Sequence, residues 1–322
     1  MNPIGGYFEL EICKGREYHQ DAIRLNTGRN ALEFIQHTRK YYKVYIPYFT
    51  CDVILEPYKK LGVNYEFYSI DKNFEPIFDY SRIKINEGFL YTNYFGLKNS
   101  FINKLSTLCK NLIIDNSQSF FSRPITGVDT FYSARKFFGV PDGSYLYMSS
   151  TESSNLSIDI SLHRISHLLK RIELGAEEGY DDFRTNENHL SGQPIKQMSN
   201  LTKELLCSID YELVQRRRKE NFSYLHGQLA TNNTLNLSQD SDTTPMVYPI
   251  LLQGRSIKQN LISNKIFVAT YWPNVLKWTE KNSIEYKYAS NIIHLPIDQR
   301  YSKNSMDIII KIFKQLLNEK ME

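Results

Sequence analysis

Lys136 stands alone between two aromatic runs in "FYSARKFFGVPDGSYLY" (131–147), just ahead of a Gly-Val-Pro-Asp-Gly turn, and Asp115 closes the short apolar run "LIID". In a sheet of alternating strands and helices, both would fall at the carboxyl ends of neighbouring strands, where ligands bind. An amine beside a carboxylate is, for an arbitrary pair, an ion pair and nothing more. Two further features change the balance. "LNTGRNALEFIQ" (25–36) places the turn Thr27-Gly28-Arg29-Asn30 directly before a helical pattern. Taken alone this is a plain cap, but the N–H groups at such a helix start also form a ready anion site. Ser133 adds a hydroxyl three residues before Lys136.

Together these residues are the parts needed to hold pyridoxal phosphate (PLP). The phosphate sits at a helix N-terminus, the lysine forms a Schiff base with the aldehyde, and the carboxylate keeps the ring nitrogen protonated. Other chemistries find less support. The chain has no paired-carboxylate hydrolase pattern, no GxSxG elbow and no Walker loop. His163 and His167 lie four apart on a helical pattern, but no third ligand accompanies them, so they read as a structural or exposed pair. Asp71 and Asp142 follow a strand and a turn, where aspartate commonly bonds its own backbone. The four cysteines show no CxxC spacing, which suggests neither zinc nor a disulfide framework, and Cys109 and Cys207 read as buried small hydrophobes.

The elements that must position these groups follow from periodicity. Strands are expected at 43–48, 65–71, 88–96, 112–115 and 128–133, with helices over 50–62, closed by Gly62, and 100–111, capped by Ser100. That alternation predicts a largely parallel sheet covered on both faces. Long helical patterns follow at 160–174 and 198–229, and the polar stretch 230–245 reads as a loop or linker. Residues 246–322 give strand (246–252), helix (256–264), strand (266–271), strand (291–297) and a terminal amphipathic helix (306–319). The expected division is therefore a large α/β domain over 1–230 and a small α+β domain over 231–322.

Composition sets the outer bounds. The chain has 322 residues with a formal charge of only +4, enough length for one large domain and a smaller one. Its one basic run, Arg216-Arg217-Arg218-Lys219, reads as the solvated face of a helix, so nucleic acid is not implied. No stretch of eighteen apolar residues and no signal-peptide shape appears, so a cytoplasmic protein with no membrane partner is expected. The 23 tyrosines and 18 phenylalanines favour β-structure and stacking surfaces without naming a ligand.

Over nearly its whole length the sequence resembles the DegT/DnrJ family of PLP-dependent nucleotide-sugar aminotransferases, which have the fold-type I architecture. "LNTGRNAL" is similar to the family's phosphate turn, "YIPYFTCDVILEPYKKLGVNYEFYSID" to its Pro-x-x-Thr segment and next strand, and "YTNYFG" to its strand ending in Tyr-Gly. "IIDNSQSF" resembles its Asp-x-x-Gln segment, "FYSARKFFGVPDGSYL" its lysine segment, and "MSNLTKELL" the start of its long helix. The resemblance implies PLP as cofactor, Lys136 as Schiff-base lysine and proton carrier, Asp115 on the pyridine nitrogen, and Gln118 on the ring hydroxyl. Thr27, Gly28 and Arg29 would form the phosphate turn, with Ser133 adding a hydroxyl.

Departures are equally informative. The family's stacking ring falls on Cys51, so either Phe49 or Tyr94 would supply the ring instead or a smaller contact would suffice, and Tyr94 becomes a candidate substrate contact. The asparagine that would reach a neighbouring subunit's phosphate falls on Ile195, with Lys196 beside it as the substitute. The activity implied is transfer of an amino group from an amino acid, glutamate being the expected donor, to a nucleotide-linked keto sugar in surface polysaccharide or deoxysugar biosynthesis, by a homodimer. Related dehydratases carry histidine in place of the lysine, so Lys136 favours transamination. The alternatives are another PLP-dependent reaction, or a diverged member acting as a partner subunit.

Overall fold

The computed structural model describes residues 4–149, 155–237, 243–254 and 256–319. The strands among these residues are β1 (Ile23–Leu25), β2 (Lys43–Pro47), β3 (Asn64–Ile70), β4 (Pro76–Ile77), β5 (Glu87–Thr92), β6 (Leu112–Asp115), β7 (Asp129–Ser133), β8 (Ser144–Tyr147), β9 (Val247–Ile250) and β10 (Ile293–Pro296). The first eight form one sheet in the order β1-β8-β7-β6-β5-β2-β3-β4, and β9 and β10 form a separate antiparallel pair. The run β7-β6-β5-β2-β3 is parallel throughout, with antiparallel strands at both edges.

The helices are α1 (Gly28–Arg39), α2 (Leu55–Leu61), α3 (Asn99–Leu108), α4 (Ser166–Glu173), α5 (Tyr180–His189), α6 (Asn200–Cys207), α7 (Tyr211–Leu229), α8 (Lys258–Ser263), α9 (Val275–Trp278), α10 (Ile284–Asn291) and α11 (Lys303–Asn318). Among the described residues, no helix is long and apolar enough to cross a membrane.

Strand alternation sorts the core onto two faces. Leu90, Ile113 and Phe131 point to the face covered by α1, where they meet Ala31, Leu32 and Ile35. Their neighbours Tyr91, Ile114 and Tyr132 point the other way, into a larger cluster that includes Phe222 of α7 and Phe313 of α11. Two residues beyond the first set lie Thr92, Asp115 and Ser133, so the same alternation aims all three toward the α1 face at the carboxyl ends of β5, β6 and β7.

Several expected elements differ. The strand expected over 88–96 ends at Thr92, because Phe95 (φ 58°) and Gly96 (φ 74°) turn the chain left-handed. A Cβ on Gly96 would lie 3.0 Å from the Gln118 carbonyl oxygen, so this turn needs glycine. Helix α3 starts at Asn99 with Lys98 at the cap position and no side-chain cap, which leaves Ser100 inside the first turn rather than capping it. The pattern over 198–229 is broken into α6 and α7, with Asp210 accepting the Leu213 N–H at 2.9 Å to start the second. Helix α5 has no regular apolar face and was not expected.

Residues 266–271 keep a strand's alternation, with Ile266 and Val268 buried and Phe267 exposed. They form no ladder; the Ala269 carbonyl bonds the His294 ring instead, at 3.0 Å. Cys109 is buried as expected, but Cys207, on the last turn of α6, is only partly so. Of the loop expected over 230–245, residues 238–242 lie outside the described residues.

Candidate active site

A cavity of about 330 Å³ opens at the carboxyl ends of the parallel strands. Its floor carries Lys136 and Asp115, and the first turn of α1 forms one wall. Thr27 caps that helix: its hydroxyl oxygen accepts the Asn30 N–H at 3.1 Å, and the Thr27 carbonyl accepts the Ala31 N–H. The N–H groups of Gly28 and Arg29, first in the helix, are the ones this arrangement leaves for an anion. Ser117 and Ser133 line the same corner.

Asp115 is buried, and its Oδ1 accepts the Ser117 N–H at 2.8 Å. Burial raises its pKa, opposed by the Ser117 hydrogen bonds and the positive charge of Lys136. A protonated ring nitrogen placed against it would favour the carboxylate further. Gln118 is fixed at one end, its Oε1 accepting the Phe95 N–H at 2.9 Å, so the strained turn after β5 orients the amide and leaves its NH2 as the donor. Beside Asp115 in the sheet register, the buried Thr92 hydroxyl lines the cavity and helps hold the Asp115 carboxylate in its charged form.

Lys136 ends a single turn of 3-10 helix, Ala134–Lys136, which follows β7 directly. The Ala134 N–H bonds the Gly143 carbonyl at 3.1 Å, and the Gly143 N–H bonds the Asn26 carbonyl at 2.7 Å. Gly143 has φ 115°, and a Cβ there would lie 3.0 Å from Thr202, so glycine closes the loop that presents the lysine. The cavity makes Lys136 reachable from solvent, yet protein surrounds its amine. Desolvation lowers its pKa, repulsion from Arg135 and Arg29 adds to the shift, and the Asp115 carboxylate opposes it. An amine so shifted holds more of its nucleophilic free base near neutrality.

Of the residues singled out from sequence, Thr27, Gly28, Arg29, Cys51, Asp115, Gln118, Ser133 and Lys136 all line this cavity. Cys51 is a neutral thiol, its pKa raised by burial. Neither Phe49 nor Tyr94 lines the cavity. Tyr94 is fully buried, its hydroxyl donating to the Phe49 carbonyl at 3.0 Å, because the turn after Thr92 carries it into the aromatic core. The rings at the rim are instead Tyr271 and Trp272. Trp272 is held at φ 55°, a left-handed conformation that costs a bulky residue about 1–2 kcal/mol. It packs edge-on against Phe49 at 4.7 Å, while Asn274 donates to the Thr50 carbonyl at 2.9 Å.

Lys196 is not at this cavity either; its ammonium pairs with Asp159 at 3.2 Å. Asp142 caps α6 from the turn, accepting the Ser199 N–H at 2.9 Å, and Asp71 accepts the N–H groups of Asn73 and Glu75. His163 is exposed and His167 buried. Among the described residues, no group of three His, Cys, Asp or Glu side chains could hold a metal.

Sequence reasoning missed Thr92, Ser117, Arg135, Glu187 and the segment 270–273. Arg135, ion-paired to Glu187, was visible only as the neighbour of Lys136. Ser117 sat inside the segment already marked by Asp115 and Gln118. Nothing in the sequence marked 270–273.

The sheet order and its two covering layers define an α/β fold with a small second sheet. No family model matches the sequence, and no curated protein matches it. Solved structures do. DesV of S. venezuelae, in complex with a ketimine intermediate, matches with a TM-score of 0.66 at 13% identity, covering 93% of this chain and 85% of its own. The PLP-form of Spr1654 from Streptococcus pneumoniae gives 0.64 at 15% identity, over 91% and 86%. A DegT DnrJ EryC1 StrS aminotransferase from Brucella abortus gives 0.62 at 15%, over 92% and 86%. At these identities the likeness establishes the fold, that of the PLP-dependent aminotransferases of fold type I.

Proposed function

We propose that this chain is a PLP-dependent aminotransferase that moves an amino group from an amino acid, with glutamate as the donor, to a keto sugar carried on a nucleotide. The observation that carries the reading is the convergence of Lys136, Asp115 and the open start of α1 in one cavity at the strand ends. The residues fit PLP: free N–H groups for a phosphate, a buried carboxylate supported by the Thr92 hydroxyl for a ring nitrogen, and the Gln118 amide for a ring hydroxyl.

When bound, PLP supplies an electron sink for the bond-breaking at the substrate carbon. The chain's own part is positional and protonic. Lys136, with its lowered pKa, serves as nucleophile and then carries the proton to and from the reacting carbon. Asp115 holds the proton at the ring nitrogen, and the Gly28 and Arg29 N–H groups with Ser133 fix the phosphate end. Tyr271 and Trp272 limit water at the rim.

The reading extends to a homodimer acting in the cytoplasm, with a large domain over 1–230 and a small one over 231–322. The test is spectral and then chemical. Purified protein given PLP should develop a visible absorbance that borohydride bleaches, and glutamate should convert it to the amino form, which a nucleotide-linked keto sugar then reverses. Absence of any borohydride-sensitive absorbance would sink the reading, and sedimentation of a fully active monomer would remove the dimer.

A further inference from the structure

On the far side of Lys136 from α1 lies a second cavity, of about 560 Å³. It is walled by the segment 135–140 that runs on from the lysine, by α4 and α5, by Arg218 of α7, and by Asp298–Arg300 between β10 and α11. Lys136 and Arg135 belong to the walls of both cavities, so the second lies directly beside the lysine.

Two independent observations mark this cavity. The first is polar: Arg135 Nε, Arg218 Nε and Gln299 Oε1 are buried with no hydrogen-bond partner among the described residues, and all three residues line it beside His167. Unpartnered buried polar atoms are unfavourable and rare, and three around one cavity call for a ligand. The second is charge. Four arginines, Arg135, Arg171, Arg218 and Arg300, and Lys136 line it with a single carboxylate, Asp298, while Arg135 is paired with Glu187 outside it. The Asp298 carboxylate is already committed, gripped by both arms of Arg300 at 2.7 and 2.9 Å.

Arg218 is left as a buried cation, 2% exposed. It donates to the Met246 carbonyl at 2.9 Å and lies over the Phe137 ring at 4.5 Å. Neither of these partners carries a formal charge, and the Asp298 carboxylate that attracts it is bonded to Arg300, so the guanidinium has no ion pair of its own, and a buried cation in that state is costly. A guanidinium fork matches a carboxylate or phosphate in both shape and charge. Gln299 adds a preference: its Nε2 is spent on the Phe137 carbonyl at 2.8 Å, which turns the orphaned Oε1 toward a donor such as a hydroxyl or ammonium.

We propose that this second cavity binds the oxyanion of the substrate, a carboxylate of the amino donor or a phosphate of the nucleotide, while the reacting carbon lies at Lys136. Its assignment to a substrate rests on the aminotransferase reading; the oxyanion site itself rests on Arg218 and the orphaned atoms.

The test uses the full chain without added cofactor, titrated calorimetrically with glutarate, which has no amino group to react, and separately with pyrophosphate. At least one anion should bind the wild type, glutarate pointing to the donor and pyrophosphate to the nucleotide. Arg171→Glu, at an exposed rim position, should weaken that binding at least tenfold without disturbing the fold, and Arg218→Met should do the same where its thermal melt shows a folded protein. Lys110→Ala, at an exposed position outside both cavities, should change it less than twofold. Failure of both anions to bind, wild-type affinity in R171E, or equal weakening by K110A and R171E overturns the site. The titration contains no PLP, so a chain that binds anions here yet never develops the borohydride-sensitive absorbance keeps the site and loses the aminotransferase reading.

Discussion

Toward the sheet, Lys136 faces polar groups that answer one another: Asp115 takes the Ser117 N–H, Gln118 the Phe95 N–H, and Thr27 the Asn30 N–H. Away from the sheet it faces Arg218 and Gln299, each with a buried atom that no described residue answers, and His167 beside them. The groups left open on the first side are neutral, the first N–H groups of α1. Those left open on the second are mostly cationic or able to become so. A side whose polar groups already hold one another in place suits a ligand that stays bound, because little reorganisation accompanies binding. A side with uncompensated charge suits a ligand that arrives, is held by its own charge, and leaves.

The contrast breaks most visibly at the lysine common to both sides. Lys136→Ala should abolish the borohydride-sensitive absorbance and reduce transamination by about 10⁴-fold or more, since nucleophile and proton carrier are lost together. The anion titration of the second cavity should survive the same change within a few-fold. Turnover comparable to the wild type in that variant would remove Lys136 from the chemistry.

Acid should separate the two core histidines, His19 and His294, from His167 at the second cavity. Burial pushes His19 down to about 4 and His294 down to about 3. Both are neutral when folded, whereas the unfolded chain protonates them below about 6.5. The unfolded state then binds more protons, so stability is complete above about pH 6.5 and falls as pH drops toward 4. Each histidine contributes a slope of about 1.4 kcal/mol per pH unit, together about 4 kcal/mol lost by pH 5. Urea melts should show this slope, and His294→Gln should remove about half of it; a flat profile between pH 6.5 and 5 would contradict the burial of both rings. His167, lowered by burial and by Arg135, should move upward when an anion fills the second cavity, while His19 stays put.

How far each side was legible follows from how it is assembled. The sheet-side groups come from short contiguous motifs at strand ends, and alternation along β5, β6 and β7 is enough to aim Thr92, Asp115 and Ser133 at one face. The far side is gathered from α4, α7 and the turn after β10, which only tertiary packing brings together. The basic run on α7 shows the limit well. Read as one solvated face, it does leave Arg216 and Arg217 outside, at 65% and 35% exposure. Successive helix residues, however, point about 100° apart, so Arg218 is carried inward. Trp272 escaped notice for a related reason: the segment 266–271 has a strand's alternation, and only the missing ladder partner shows that it runs to the cavity rim.

A charge change on the sheet side should cost less than loss of the lysine. Asp115→Asn should keep bound cofactor but slow turnover by about 10²-fold, because a neutral amide cannot hold a proton at the ring nitrogen. Gln118→Ala should cost less, a neutral hydrogen bond being worth roughly half a charge-assisted one. Equal rates in D115N and the wild type would reduce Asp115 to a partner of the Ser117 N–H.

The smallest effect belongs to the cap that opens α1. The Thr27 hydroxyl accepts the Asn30 N–H at 3.1 Å and donates to the Asn30 Oδ1 at 2.6 Å, so it fixes both the first turn and the side chain behind it. Thr27→Ala removes the acceptor and should destabilise the protein by about 1 kcal/mol, read as a lower urea midpoint with an unchanged slope. Thr27→Ser, which restores the oxygen, should recover most of the loss. The first-turn N–H groups would fray in the alanine variant, so its affinity for PLP should fall while its affinity for unphosphorylated pyridoxal does not. Pyrophosphate binding in the second cavity should be indifferent to both changes. If T27A weakened pyridoxal and PLP alike, the start of α1 would be supporting the cavity wall as a whole and not recognising the phosphate.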